Sequence, residues 1–146
     1  MSLDEHHHEK VHISHDLAVS ADTLWAVLSD FANLSWVPAV PKFEFEGEGV
    51  GMTRRMYLDD TFAILERLEA LDAAQRTISY SIPENNPLPC SDYYATMVVV
   101  ETGPDTCRLE WGCSFEPLGV TEAAAVENIT AFYWSLIPGI EASVGL

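Results

Sequence analysis

A change of period near the end of the chain constrains it most: runs that alternate apolar and polar residues give way to one run of helical spacing. Phe43 and Phe45 alternate with Glu44, Glu46 and Glu48, the pattern of a half-buried strand. Strands are likewise predicted over 52–58, 61–71, 76–82, 91–100 and 106–115, with an earlier one over 11–17. Gly47, Gly49 and Gly51, then Asp59-Asp60, Asp72-Ala73-Ala74-Gln75 and Thr102-Gly103-Pro104-Asp105 supply the turns, and 83–89 is too rich in proline for regular structure. From Thr121 to Trp134, and on toward Ala142, no glycine or proline intervenes before Pro138-Gly139. Ala125, Ile129, Phe132 and Leu136 recur there at helical spacing and are expected to face a sheet. After the first strand, Thr23–Leu28 reads as a short helix capped by Ser20 or Asp22. Asp30–Leu34 reads as a second brief helical turn, stopped by Pro38 and Pro41. The order of strand, two short helices, six strands and one long helix predicts an α+β fold, an antiparallel sheet wrapped around a terminal helix.

The 146 residues make room for one domain with a core of ordinary size. Residues 1–10 are expected to be a polar tail, disordered or a tag remnant, and 11–146 a single ligand-binding domain. Seven Lys+Arg stand against 23 Asp+Glu, a net charge of −16. Such a surface repels phosphate backbones and anionic headgroups, so neither nucleic acid nor membrane is an expected partner. No secretory segment opens the sequence, and Cys90, Cys107 and Cys113 make no disulfide framework, so a cytoplasmic location is expected. His6, His7 and His8 have no fixed geometry as neighbours in a tail, and no metal site or cofactor is expected. A homodimer is left open.

Alternation also assigns faces. Met52, Arg54, Met56 and Leu58 share one side of their strand; Phe62, Ile64, Glu66 and Leu68 share one side of the next. Arg76 aligns with Ile78, Tyr80 and Ile82, and Tyr93 with Ala95, Met97 and Val99. Three neighbouring strands thus each put a charge on the side meant for burial: Arg54, Glu66 and Arg76. Buried charge is costly unless paired. Either these groups line the floor of a cavity, or they form a closed ion-pair network tying strands together, with Arg76 near a strand end free to reach solvent. Glu110 shares a side with Arg108, Gly112 and Ser114, whereas Leu109, Trp111, Cys113 and Phe115 form the more apolar side, unless a bulge reverses them. Phosphate loops, nucleophile elbows and metal-ligand spacings are absent from the sequence. His12 and His15 read as edge or surface histidines. Trp25, Trp36, Trp111 and Trp134 read as core and cavity wall, with Trp36 and the 83–89 loop as candidate lids.

The run Ala21-Asp22-Thr23-Leu24-Trp25-Ala26-Val27-Leu28-Ser29-Asp30-Phe31 resembles the opening helix of START-like, helix-grip (SRPBCC) proteins. Gly49 to Arg54, Leu65 to Asp72, Tyr80-Ser81-Ile82, Asp92-Tyr93 and Leu109-Glu110-Trp111 continue the likeness, which runs from about 11 to 140. It is closest to bacterial proteins of the polyketide cyclase/dehydrase-like branch, with a more distant likeness to plant abscisic acid receptors. The resemblance implies a seven-stranded antiparallel sheet gripping the C-terminal helix over a cavity for small, mostly apolar molecules. It also implies that Arg54, Glu66, Tyr93 and Glu110 point inward, with Ile129 and Tyr133 from the helix. Pro41 falls where those receptors carry a cavity lysine, and Leu58-Asp59-Asp60-Thr61 stands where they carry a gate loop, so a hormone switch is not expected.

The expected ligand-binding set is Arg54, Met56, Leu58, Ile64, Glu66, Ile78, Tyr80, Tyr93, Ala95, Glu110, Ile129 and Tyr133. Its expected occupant is a small hydrophobic molecule with a polar handle, such as a polyketide, lipid or phenolic. The alternative is a cyclase, dehydratase or aromatase in which Glu66 or Glu110 is the base and Tyr93, Tyr133 or Arg54 supports an enolate. A filled core with no ligand is the third reading. A catalytic carboxylate would reach an open cavity without a full ion-pair partner, whereas a structural one would be locked to Arg54 or Arg76.

Overall fold

A computed structural model describes residues 9–37, 42–57 and 63–146. Seven strands form one antiparallel sheet: β1 Val11–Leu17, β2 Lys42–Glu46, β3 Thr53–Tyr57, β4 Ala63–Asp72, β5 Thr77–Glu84, β6 Cys90–Gly103 and β7 Thr106–Pro117. Their spatial order is β1-β7-β6-β5-β4-β3-β2, so the first strand closes on the last and the others form a meander. Two helices complete the fold, α1 Ala21–Leu28 and α2 Glu122–Ser143. This is the helix-grip α+β architecture.

The local chemistry accounts for the boundaries. Ser20 caps α1 by accepting from the Thr23 amide, and Thr121 caps α2 by accepting from the Ala124 amide. The second short helix is replaced by turns. Asp30 and Asn33 side chains accept from the amides of Ala32 and Ser35, which diverts the backbone from a helical ladder. Gly47, Gly49 and Gly51 all have positive φ, which lets the chain turn from β2 into β3. The Lys10 amide donates to the Cys113 carbonyl at 2.8 Å, next to the β1–β7 pairing. His6, His7 and His8, Pro38 and Pro41, and the 58–62 segment with its expected turn lie outside the described residues.

The core lies between the sheet and the helices. β6 buries Tyr93, Ala95, Met97 and Val99, and β7 buries Leu109, Trp111, Cys113 and Phe115. α2 buries Ala125, Ile129, Tyr133, Ile137 and Ile140. The helix is therefore rotated from the expected stripe: Tyr133 takes the inward place, and Phe132 is left 40% exposed. Spacings of three and four both lie on a helical face, so sequence alone does not choose between 132 and 133. Of the four tryptophans, Trp36 and Trp111 are buried, Trp25 is half-buried, and Trp134 is exposed beside His15. The cysteines are all free and buried.

Register shifts interrupt both the β4–β5 and the β6–β7 pairing, two in each, and one of each lies beside the site. The β4–β5 register shifts between Leu65 and Arg67, on either side of Glu66, where β5 carries an extra residue. The β6–β7 register shifts between Ser91 and Tyr94, where Asp92 adopts a positive φ of 53° immediately before Tyr93. Arg76 is a third special position. Its φ of 46° breaks the alternation that aligned it with Ile78. Its guanidinium instead meets Asp22 at 2.7 Å, so it ties the start of β5 to α1 and takes no part in the interior.

A cavity floored by a buried ion pair

Arg54 and Glu66 stand directly opposite each other in the β3–β4 register. Period two turns both side chains toward the core, where Arg54 Nε donates to Glu66 Oε1 at 2.7 Å. The side chains are 4% and 10% exposed, so the pair is buried. Arg54 Nη1 also donates to the Phe31 carbonyl at 3.2 Å, which the Asp30 turn presents. The guanidinium lies 3.8 Å from the Phe31 ring centroid, 5.6 Å from Tyr80 and 6.0 Å from Trp36. One carboxylate, one carbonyl and three aromatic faces thus replace the water that the cation gave up.

Beside this pair is a group of aromatic hydroxyls. Tyr93, re-aimed by the β6 bulge, shares a hydrogen bond with the Tyr133 hydroxyl of α2. Tyr80 lies 6.2 Å from Tyr93, and Trp111 stacks on Tyr133 at 4.0 Å. Burial, and then the negative charge of Glu66, push the Tyr80 phenol far above its ordinary pKa. Burial also raises Tyr93 and Tyr133 well above theirs, reinforced by the neighbouring phenols. All three therefore remain neutral hydroxyls at physiological pH, suited to donating hydrogen bonds and not to abstracting protons.

These groups border a cavity of about 560 Å³. Its polar part is Arg54, Glu66, Tyr80, Tyr93 and Trp111; Met56, Ile64 and Ile82 add apolar strand positions. The segment after α1 contributes Trp36 and Val37, the β5–β6 loop Pro87 and Leu88, and α2 Phe132, Ser135 and Leu136. The two expected lids, Trp36 and the 83–89 loop, therefore do reach the cavity.

The structure brings together Arg54, Met56, Ile64, Glu66, Tyr80 and Tyr93 from the expected set. Ile78, Ala95 and Ile129 are buried in the core but do not line the cavity, and Tyr133 supports it from behind through Tyr93 and Trp111. Leu58 lies outside the described residues. Glu110 is a correction. β7 pairs with β1 in unbroken register from Val11↔Cys113 to Leu17↔Cys107, so no bulge reverses its faces. Trp111 takes the inward position, and Glu110 lies on the opposite face of the sheet, as alternation alone indicates. There it accepts from Ser14 Oγ at 3.1 Å and Arg108 Nε, and meets His12 Nε2 at 2.6 Å. His12 Nδ1 meets Glu9 at 3.0 Å. Burial tends to lower the His12 pKa, but its bonds to Glu110 and Glu9 outweigh this and raise it. Burial likewise opposes the ionised Glu110, yet His12, Arg108 and Ser14 hold it below its usual value. Gly112 makes this cluster possible: a Cβ there would lie 2.3 Å from Glu9 Oε2 and 2.6 Å from the Val11 carbonyl.

Among the described residues no group of His, Cys, Asp and Glu is placed to hold a metal ion. None of their helices is long and apolar enough to cross a membrane. Val37 and Ser135 carried no expectation; Phe132 and Leu136 were expected to face the sheet, and Pro87 and Leu88 belong to the loop expected as a lid, but none of them was in the expected ligand-binding set.

The model of the family described as polyketide cyclase / dehydrase and lipid transport matches residues 8–135. No curated protein matches the sequence. Among solved structures, an uncharacterized protein of Bacillus thuringiensis superposes with a TM-score of 0.80 at 26% identity, covering 92% of this chain and 97% of that one. The protein XoxI of Bacillus cereus gives 0.78 at 27% identity, with 92% and 95% covered. Norcoclaurine synthase of Thalictrum flavum, solved with dopamine and hydroxybenzaldehyde, gives 0.72 at 24% identity over 92% and 84%, a likeness of fold.

Proposed function

The chain belongs to the polyketide cyclase/dehydrase and lipid transport family, and on that premise we propose that it binds a small, mostly apolar molecule in the cavity between sheet and α2, as a carrier or sensor. The observation that carries this reading is the cavity itself: about 560 Å³ with mostly apolar walls and a few polar groups among them. That is the composition of small-molecule sites in general, in which apolar area supplies affinity and fixed polar groups supply orientation. A molecule of lipid, phenolic or polyketide class has that division between an apolar body and a polar handle.

The pairing of Glu66 favours binding over proton-abstraction catalysis. Glu66 Oε1 is committed at 2.7 Å to a buried guanidinium, the arrangement of a structural ion pair that ties β3 to β4. The second carboxylate considered for that task, Glu110, is on the far face of the sheet and borders no part of this cavity.

The test is occupancy. Titration with the neutral dye N-phenyl-1-naphthylamine is expected to saturate at one dye per chain with enhanced emission. Leu136→Trp, which fills space from α2, is expected to weaken binding at least tenfold. Native mass spectrometry of protein purified from its own host is expected to show a stoichiometric small molecule. Absence of dye binding, or equal binding by the variant, would overturn the proposal.

A further inference from the structure

The buried pair beside the cavity is joined at one point only. Arg54 Nε donates to Glu66 Oε1 at 2.7 Å, and Arg54 Nη1 donates to the Phe31 carbonyl. A guanidinium carries Nε–H and the outer Nη2–H along one edge, a fork that can hold both oxygens of a carboxylate at once. Here the second prong is not made: among the described residues, neither Arg54 Nη2 nor Glu66 Oε2 has a hydrogen-bond partner. Nor is either atom sealed off. The one fully enclosed side-chain atom without a partner among the described residues is Trp111 Nε1, so these two keep accessible surface. Both residues turn toward the core and border the cavity, and the 10% of the Glu66 side chain that stays accessible is reached from there.

The charges limit what can complete the fork. Among the described residues that border the cavity, Arg54 is the one cation and Glu66 the one carboxylate, so the two cancel. A ligand carboxylate would satisfy Nη2 but would stand against Oε2, inside a chain whose net charge is −16. An ammonium would satisfy Oε2 but would stand against the guanidinium. A ketone or ether oxygen only accepts, and leaves Oε2 unmet. A hydroxyl donates and accepts at one oxygen, which matches an open donor and an open acceptor on one pair.

We infer that the ligand carries a neutral hydroxyl, phenolic or alcoholic, that donates to Glu66 Oε2 and accepts from Arg54 Nη2. This rests on the reading of the cavity as a ligand site and narrows it: a phenol or a hydroxylated polyketide fits, and a free fatty acid does not. The hydroxyl is held and no covalent bond is broken.

Three probes with one ring system test the point: 2-naphthol carries the hydroxyl, 2-methoxynaphthalene keeps the oxygen but has no proton to donate, and 2-naphthoate carries a charge. Affinities are measured near neutral pH, where 2-naphthol is uncharged, by displacement of N-phenyl-1-naphthylamine. 2-Naphthol is expected to bind about tenfold more tightly than either of the others, because hydrogen bonds to ionised groups are the stronger ones. In Glu66→Gln, which removes the anionic acceptor, its preference over 2-methoxynaphthalene is expected to fall below about threefold. The probes are compared first in the unaltered protein, so the test does not depend on the variant folding well. Equal affinities for 2-naphthol and 2-methoxynaphthalene would overturn the hydroxyl, with water capping the pair, while the binding cavity stands. Tightest binding by 2-naphthoate, an undiminished preference in Glu66→Gln, or failure of all three probes to displace the dye would overturn it too. Failure of the dye itself to bind would remove the cavity reading beneath it.

Discussion

Replacing Glu66 by glutamine removes one charge from a buried pair and keeps the shape. Breaking such a pair by deleting one partner generally costs about 3–5 kcal/mol, because the remaining ion stays buried. Here the remaining ion is Arg54, which keeps its bond to the Phe31 carbonyl at 3.2 Å and its place over the Phe31 ring at 3.8 Å. The glutamine amide oxygen also remains available as an acceptor, worth about 1 kcal/mol. The expected loss therefore sits at the low end, about 3 kcal/mol. An unfolding entropy of about 2.1 cal/mol/K per residue, taken over 146 residues, gives about 0.3 kcal/mol/K, so the midpoint should fall by about 10 °C. Thermal and urea unfolding followed by circular dichroism read this directly. The double change Arg54→Met with Glu66→Leu removes both charges at once, and is expected to recover most of the loss or to exceed the parent, as buried pairs replaced by apolar groups often do. A loss below about 1 kcal/mol for Glu66→Gln would refute the reasoning. The carboxylate would then not be engaged by Arg54, and its use as a catalytic base would return.

Other substitutions probe other parts of the fold. Gly112→Ala should destabilise by about 2 kcal/mol in urea unfolding, since the new methyl group meets the Val11 carbonyl at 2.6 Å as well as a side chain. His12 has a raised pKa in the folded state, so its contribution is complete below pH 6.5 and is lost as pH rises through the higher folded value. His12→Gln should flatten that alkaline decline in urea midpoint, by less than about 1 kcal/mol because the side chain is 46% exposed. Glu110 has a lowered pKa, so its contribution is present above pH 4.5 and is lost as pH falls through the folded value. Tyr93→Phe should cost about 1–2 kcal/mol by leaving the Tyr133 hydroxyl without this partner. The double change with Tyr133→Phe should cost less than the sum of the two single changes.

The strands were legible because each alternates over five or more residues, and so were Arg54 and Glu66 as charges on inward positions, although alternation left open whether they pair and whether Arg54 or Arg76 is the partner of Glu66. Alternation failed at Arg76, where a left-handed residue turned the side chain out, and family likeness failed at Glu110, where alternation was the better guide. Long-range geometry was less accessible. Nothing local says that the Asp30 turn would bring the Phe31 carbonyl to Arg54, twenty-three residues away. Nor does periodicity distinguish Phe132 from Tyr133 as the inward residue of α2, because the two are separated by one helical step and both are aromatic; there the family likeness was the better guide.

The closure of β1 on β7 has a consequence for how the chain reaches this state. Val11 pairs with Cys113, so the first strand has no sheet neighbour until the ribosome has delivered about a hundred further residues. At about 5–20 residues per second that wait lasts several seconds, during which the β2–β6 meander assembles hairpin by hairpin. The growing end, not the start, sets the moment at which the interior seals. A slow synonymous codon stretch placed after β7 would lengthen the exposed interval before the last helix docks, whereas one placed early would merely delay the meander.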